Sequence, residues 1–161
     1  RREAGMSNLI QRVNLFPSPL FSHYQKSNEA TTDIEVADGV ITVNGPNTSK
    51  SYVQWRIAGL EPGTRMVFRC RCEPVGEWPQ SGMLVWLYRT DWSSPGGVIV
   101  PQVVDGVGFR EFNAPADGVI GVRFNAMNGT RFSEPLLEAK ATFDESLPFF
   151  YHGTMPDPRS A

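Results

Sequence analysis

A period of two in the apolar residues, broken at short intervals by glycine and proline, constrains this chain more than any other feature. The stretch SYVQWRIAGLEPGTRMVFRCRCE, residues 51–73, shows it plainly: Val53, Trp55 and Ile57 share one side of a strand, and Met66, Phe68, Cys70 and Cys72 share one side of the next. Pro62-Gly63 turns the chain between them. Successive side chains of an extended backbone point to opposite faces, so each strand has one face to bury and one face to leave polar.

The same pattern recurs along the chain. Residues 33–37 and 40–44 flank Asp38-Gly39, and both turn residues tolerate the positive φ that a tight primed hairpin turn demands. Further strands are expected at 13–16, 51–58, 64–73, 82–89, 98–104, 107–112, 119–126 and 131–137, separated by turn signals such as SSPGG, Asp-Gly, NAPADG and MNGT. The 15 Gly and 13 Pro are spread along 161 residues rather than clustered, and about nine or ten short strands at this spacing predict an antiparallel all-β sandwich or barrel. No segment beyond the N-terminus sustains a helical period, so negligible helix is expected after Ser22. The expected core is Val53, Trp55, Ile57, Phe68, Cys70, Ile120, Val122 and Phe124. The length suits one domain, read as an N-terminal extension (1–12), a strand-rich body (13–143) and an exit segment (144–161).

Cys70 and Cys72 continue an apolar row. Residues i and i+2 on a strand lie near the upper limit of disulfide Cα separation with parallel side chains, which disfavours a bridge. Zinc would need two more ligands, and the only histidines, His23 and His152, are remote and lack ligand spacing. The pair therefore reads as two buried, reduced thiols with no metal.

A formal net charge of −2, with no Lys/Arg run longer than Arg1-Arg2, leaves no basic field for nucleic acid or anionic lipid, so neither partner is expected. The first twenty residues contain no apolar run of signal-peptide or membrane-span length. Arg1-Arg2 can be encoded AGGAGG, a bacterial ribosome-binding sequence, and translation is expected to begin at Met6, with RREAG an upstream extension. No GxSxG elbow, HExxH motif or phosphate loop is present, and nothing in the sequence selects a catalytic carboxylate pair; a non-enzymatic protein is expected. Asn47-Thr48-Ser49 and Asn128-Gly129-Thr130 match glycosylation acceptors and read as turns.

Four stretches carry a resemblance. NLFPSP (14–19) is similar to an opening NLxPNP, YVQWRIAGLEPGTRMVFRC to a GLxPGTxYTFS hairpin, FNAPADGVIGVRF (112–124) to FTAPxxGxVxVRF, and EPLLEAKATFDESLPFFYHGTMPD (134–157) to an exit segment xPMLExGxxAxPYFDGDTPD. In this order they resemble the jelly-roll modules, similar to carbohydrate-binding modules, of minor tail and other virion proteins of phages infecting actinobacteria. The resemblance implies a β-sandwich of jelly-roll type in the phage particle, acting as a tail component or surface decoration among other virion proteins. It also implies adsorption through host cell-surface glycans. The family's opening motif leads into a Phe-Glu pair whose acidic residue can join a structural calcium site; here Phe21 is followed by Ser22, and no cofactor is expected. A carbohydrate-binding module cut from a larger secreted glycosidase is the alternative.

Strand parity then proposes a ligand surface. Trp86 and Tyr88 face away from the core row of their strand and form a stacking platform, with Arg69, Arg71 and Gln54 as polar partners and Trp78 or Trp92 as a flanking wall. Apolar sugar faces stack on aromatic rings while planar polar side chains bond the hydroxyls. The reading assumes that the three strands share one sheet. Apolar residues in RREAGMSNLIQR and PFFYHGTMPDP make these ends expected contact segments of a homo-oligomer or attached subunit.

Overall fold

The computed structural model describes residues 10–17, 19–27, 32–45, 51–74, 84–89, 101–126, 129–145 and 149–157. Among them are twelve strands and no helix: β1 (Gln11–Val13), β2 (Gln25–Lys26), β3 (Asp33–Ala37), β4 (Val40–Asn44), β5 (Tyr52–Ile57), β6 (Arg65–Pro74), β7 (Val85–Tyr88), β8 (Gln102–Val104), β9 (Val107–Asn113), β10 (Ile120–Asn125), β11 (Thr130–Ala139) and β12 (Thr154–Pro156). They form a four-stranded sheet in the order β2-β5-β10-β7, a six-stranded sheet in the order β3-β4-β11-β6-β9-β8, and a two-stranded ribbon of β1 and β12. Every pairing is antiparallel, so the chain is the β-sandwich of jelly-roll type that its patterning and resemblance predict.

All eight expected core residues are buried between the two large sheets. Trp55 sits at the centre: its ring lies 5.0 Å from Phe16 and 5.3 Å from Phe124, both edge-on, and its indole N–H donates to the Ser22 carbonyl at 2.9 Å. Phe124 stacks on Phe132 of the opposite sheet at 4.2 Å, which joins the two inner faces. Asp38-Gly39 and Asp105-Gly106 form the tight turns of β3-β4 and β8-β9, with φ of 54° and 75° in the first and 51° and 76° in the second.

Two local expectations need correction. Residues 13–16 are not a strand; β1 ends at Val13, and Asn14 instead turns its side chain into a clamp. Asn14 Oδ1 accepts from the amides of Phe16 and Leu137 at 3.1 and 3.0 Å, while its Nδ2 donates to the carbonyls of Pro135 and Tyr151. Pro62-Gly63 does not close a hairpin either, because β5 and β6 lie in different sheets. That loop is anchored to the β9-β10 connection by Leu60 N–H to Gly118 O and Gly63 N–H to Ala114 O, both 3.0 Å. In the exit segment, Phe149 and Tyr151 pack against the body of the chain. Val67, Leu136 and Phe143 form a second apolar cluster with Phe109 and Tyr151 on the outer side of the six-stranded sheet.

The β1-β12 ribbon lies over that same side and holds a buried charge there. Arg12 donates through Nε and Nη2 to the two carboxylate oxygens of Glu138 at 2.8 and 2.7 Å, and Thr142 Oγ1 donates to Glu138 at 2.7 Å. Both side chains of the pair are fully buried, and the bidentate bond holds the Arg12 guanidinium above its ordinary pKa. Tyr151 covers the guanidinium, 4.7 Å from its ring centroid. Removing one partner strands the other charge in a dry site. Glu138→Ala is therefore expected to cost about 3–5 kcal/mol in urea unfolding, and Arg12→Met combined with Glu138→Leu to recover most of that loss.

Cys70 and Cys72 sit on the inner face as unbridged thiols with their sulfurs 3.6 Å apart, well beyond a disulfide bond. Both lie near Gly108 of β9, where a Cβ would meet the Cys72 and Cys70 sulfurs at 3.5 and 3.8 Å, ordinary contact distances. Burial pushes the Cys70 thiol pKa well up, and the neighbouring sulfur adds to the shift. Neither thiol is expected to react with a disulfide reagent at pH 8 until the domain opens, so the labelling rate should track global unfolding across a urea series.

Candidate functional site

The outer face of the four-stranded sheet is built from the outward positions of β5, β10 and β7. Register sets Arg123 directly between Gln54 and Trp86, Gly121 between Arg56 and Tyr88, and Asn125 beside Tyr52. Gln25 of β2 extends the first of these rows beyond Gln54.

Arg123 is the centre of this face. Its Nε donates to Gln54 Oε1 at 2.9 Å, and Gln54 Nε2 donates in turn to Gln25 Oε1 at 3.1 Å. Its guanidinium carbon lies 3.8 Å from the Tyr52 ring centroid and 4.8 Å from that of Tyr88. Tyr88 and Trp86 meet edge-on at 5.9 Å. Gln54 and Tyr88 are buried, whereas Tyr52, Trp86 and Arg123 are half-buried and Gln25 and Arg56 exposed. Burial raises the Tyr88 pKa against the opposing pull of Arg123, so the phenol stays a neutral donor. The Trp86 indole N–H has no acceptor among the described residues. Rings, amide groups and a fixed guanidinium thus share one surface with their rotamers held by one another, an arrangement suited to binding flat, hydroxyl-bearing ligands.

Of the residues expected at the site, Trp86, Tyr88 and Gln54 come together here. Arg69 and Arg71 do not: β6 belongs to the six-stranded sheet, so both arginines lie on the opposite outer surface of the sandwich. There the Phe149 ring sits 4.0 Å from the Arg69 guanidinium and 4.1 Å from that of Arg71, and Arg69 Nη2 donates to the Phe149 carbonyl at 2.9 Å. Arg71 also pairs with Glu134, which a bulge in β11 presents at a φ of 51°. These arginines fasten the exit segment. Trp78 and Trp92 lie outside the described residues.

Sequence reasoning missed Arg123 and Gln25, and placed Tyr52 on the outer side of its strand without selecting it. Parity in GVIGVRF turns Arg123 away from Ile120, Val122 and Phe124, but only the pairing order shows that β10 lies between β5 and β7. Elsewhere, a cleft of about 520 Å³ on the six-stranded sheet is lined by Arg71, Glu73, Arg131, Ser133 and Asp105, where Arg131 and Glu73 pair at 3.0 Å. No group of three or more His, Cys, Asp or Glu side chains able to hold a metal occurs among the described residues. At the position of the implied calcium ligand stands Ser22, whose carbonyl accepts from the Trp55 indole N–H.

No family model matches the chain, and no curated protein matches it. Solved structures do. The chain is similar to a carbohydrate-binding module, described as "CBM4 structure and function", at a TM-score of 0.50 and 13% identity over 79% of this chain and 97% of that one. It is also similar to the CBM22-1-GH10 modules of Clostridium thermocellum endo-1,4-β-D-xylanase 10B complexed with xylohexaose (TM-score 0.52, 10% identity, 85% of this chain, 29% of that one). The enzymatically active domain of bacteriophage CBA120 tailspike protein 4 matches at a TM-score of 0.48 and 11% identity over 79% of this chain. The chain spans 21% of the length of that tailspike chain. The likeness to the two module structures is one of fold: the antiparallel sandwich of carbohydrate-binding modules.

The relocation of Arg69 gives a direct test. Arg69 is buried, with its guanidinium against the Phe143 and Phe149 rings and bonded to the Phe149 carbonyl, and that burial lowers its pKa. Arg69→Ala is expected to lower stability by about 1–3 kcal/mol in urea unfolding and to speed proteolysis within residues 144–157. An unchanged cleavage pattern would mean that the exit segment is held by other contacts.

Proposed function

We propose that this protein is a non-enzymatic glycan-binding module of a phage particle, a tail component or surface decoration that aids adsorption through the outer face of its four-stranded sheet. The observation that carries the glycan part is the arrangement of Tyr52, Arg123 and Tyr88 in guanidinium–ring contact beside Trp86, with Gln54 and Gln25 aligned in the same row. Rings provide surfaces for sugar C–H groups, and the amides and guanidinium provide fixed donors and acceptors. The module likeness supports the same reading. The particle part rests on the ordered motifs NLFPSP, GLEPGT, FNAPADGVIGVRF and the exit segment.

A second reading, a carbohydrate-binding module of a larger secreted glycosidase, is favoured by the likeness to the CBM4 structure over 97% of that chain and to the CBM22-1-GH10 modules of the xylanase. Detection of the chain in purified particles by mass spectrometry, with electron microscopy to locate it, supports the particle. Catalytic domains encoded in the same reading frame support the glycosidase.

Trp86 separates a ligand platform from a structural role. It is half-buried and contacts Tyr88, so Trp86→Ala is expected to abolish retention on immobilised polysaccharide while costing less than the roughly 3–5 kcal/mol of a truncated core tryptophan. A glycan array on which the intact protein binds nothing, or a Trp86→Ala protein that simply unfolds, would leave this surface to assembly.

A further inference from the structure

Ile10 and Asp157, the first and last of the described residues, lie side by side. β1 and β12 pair antiparallel with Gln11 opposite Pro156 and Val13 opposite Thr154, and the Asp157 amide donates to the Ile10 carbonyl at 2.8 Å. Load reaching the ribbon through both of its outer ends therefore opens it from that side, breaking its bonds one after another instead of shearing them together.

Behind the ribbon the two strands are fastened differently. β1 is anchored in the body: Arg12 meets Glu138 of β11 in two buried bonds, Leu15 N–H donates to the Leu137 carbonyl at 2.9 Å, Asn14 Oδ1 accepts from the Leu137 amide, and Phe16 lies in the core against Trp55. Among the described residues the strand pairing of β12 is to β1 alone. Residues 149–153, which lead into β12, reach the six-stranded sheet through side chains rather than through a backbone ladder. The Phe149 ring lies over the Arg69 and Arg71 guanidiniums and its carbonyl accepts from Arg69, while the Tyr151 ring covers Arg12 and packs on the cluster of Val67 and Leu136. β1 cannot leave without breaking a buried ion pair and opening the core. Residues 149–157 can, because they contribute no strand to either large sheet.

We infer that residues 149–157 form a releasable strap, a yield point that peels from the six-stranded sheet when the two ends of the chain are loaded while the sandwich stays folded. Such an opening is sub-global: it gives up the ribbon and the ring contacts on Arg12, Arg69 and Arg71 and leaves the ladders of both large sheets in place. The outer face of the four-stranded sheet lies across the core from the strap and keeps its shape as the strap opens. Release of the strap is independent of what that face binds.

Optical-tweezers extension of the full chain, with handles at residues 1 and 161, tests this. Two events are expected: a first at low force that lengthens the chain by about 45–50 Å as residues 144–157 extend, and a second at higher force that adds about 430–470 Å as residues 14–143 extend. The first is expected to reverse when the load is relaxed, because the folded sandwich keeps the surface on which the strap rebinds. Phe149→Ala is expected to lower the force of the first event, or to abolish it, without moving the second. Val122→Ala, in the core, is expected to lower the second without moving the first. Should Phe149→Ala fail to fold, Phe149→Leu takes its place with the same two readings. A single event that releases the whole length at once overturns the inference. So does a first event as long as the sandwich itself, or one whose force is unchanged by the substitution at Phe149.

Discussion

The bidentate contact between Arg12 and Glu138 decides which surface of this sandwich is available. Burying both charges is tolerable only because two short bonds, the Thr142 hydroxyl and the Tyr151 ring satisfy them, and that requires β1 and the exit segment to lie flat over β11. Asn14 adds the geometric lock: one side chain engages the amides of Phe16 and Leu137 and the carbonyls of Pro135 and Tyr151. The six-stranded sheet is in consequence packed on both sides over much of its length, with Val67, Leu136 and Phe109 covered from outside. On the four-stranded sheet the outward side chains are instead held by one another, through Arg123, Gln54, Tyr52 and Tyr88.

Parity is a local property, and the sequence displays it. Every expected core residue from Val53 to Phe124 is buried, because each strand reports which of its residues face inward regardless of its neighbours. Sheet membership is not local. Arg69 and Trp86 have the same relation to their own core rows, yet β6 pairs with β11 and β9 while β7 pairs with β10, so equal parity places them on opposite outer surfaces. The Pro62-Gly63 turn contributed to the misreading, since the same residues that close hairpins also carry a chain from one sheet to the other. The strand at 13–16 failed for another reason: the apolar run in VNLF is interrupted by Asn14, three of whose four bonding partners lie more than a hundred residues away.

The motifs that carry the family resemblance belong almost wholly to the scaffold. NLFPSP contributes the Asn14 clamp and the core ring of Phe16; the GLEPGT loop docks on Gly118, where a Cβ would come within 2.4 Å of the Leu60 carbonyl; the exit segment supplies Tyr151 and Phe149. These residues explain why the fold is recognisable, but they lie away from the outer face of the four-stranded sheet. Of the outer-face residues, Tyr52 and Gln54 fall within the second motif at its outward positions, whereas Gln25 and Trp86 lie outside all four.

Arg123 stands between these two groups. It lies within GVIGVRF, where a structural explanation would suffice for Ile120, Val122 and Phe124, all of which fill the core. An outward arginine at that position has no packing task in the core. Its contacts instead tie β5, β10 and β7 together across their outer surface through Gln54, Tyr52 and Tyr88. One guanidinium held by an amide oxygen on one strand and by aromatic rings on two does what a hydrophobic residue could not: it fixes the relative positions of three strands by direction as well as by area.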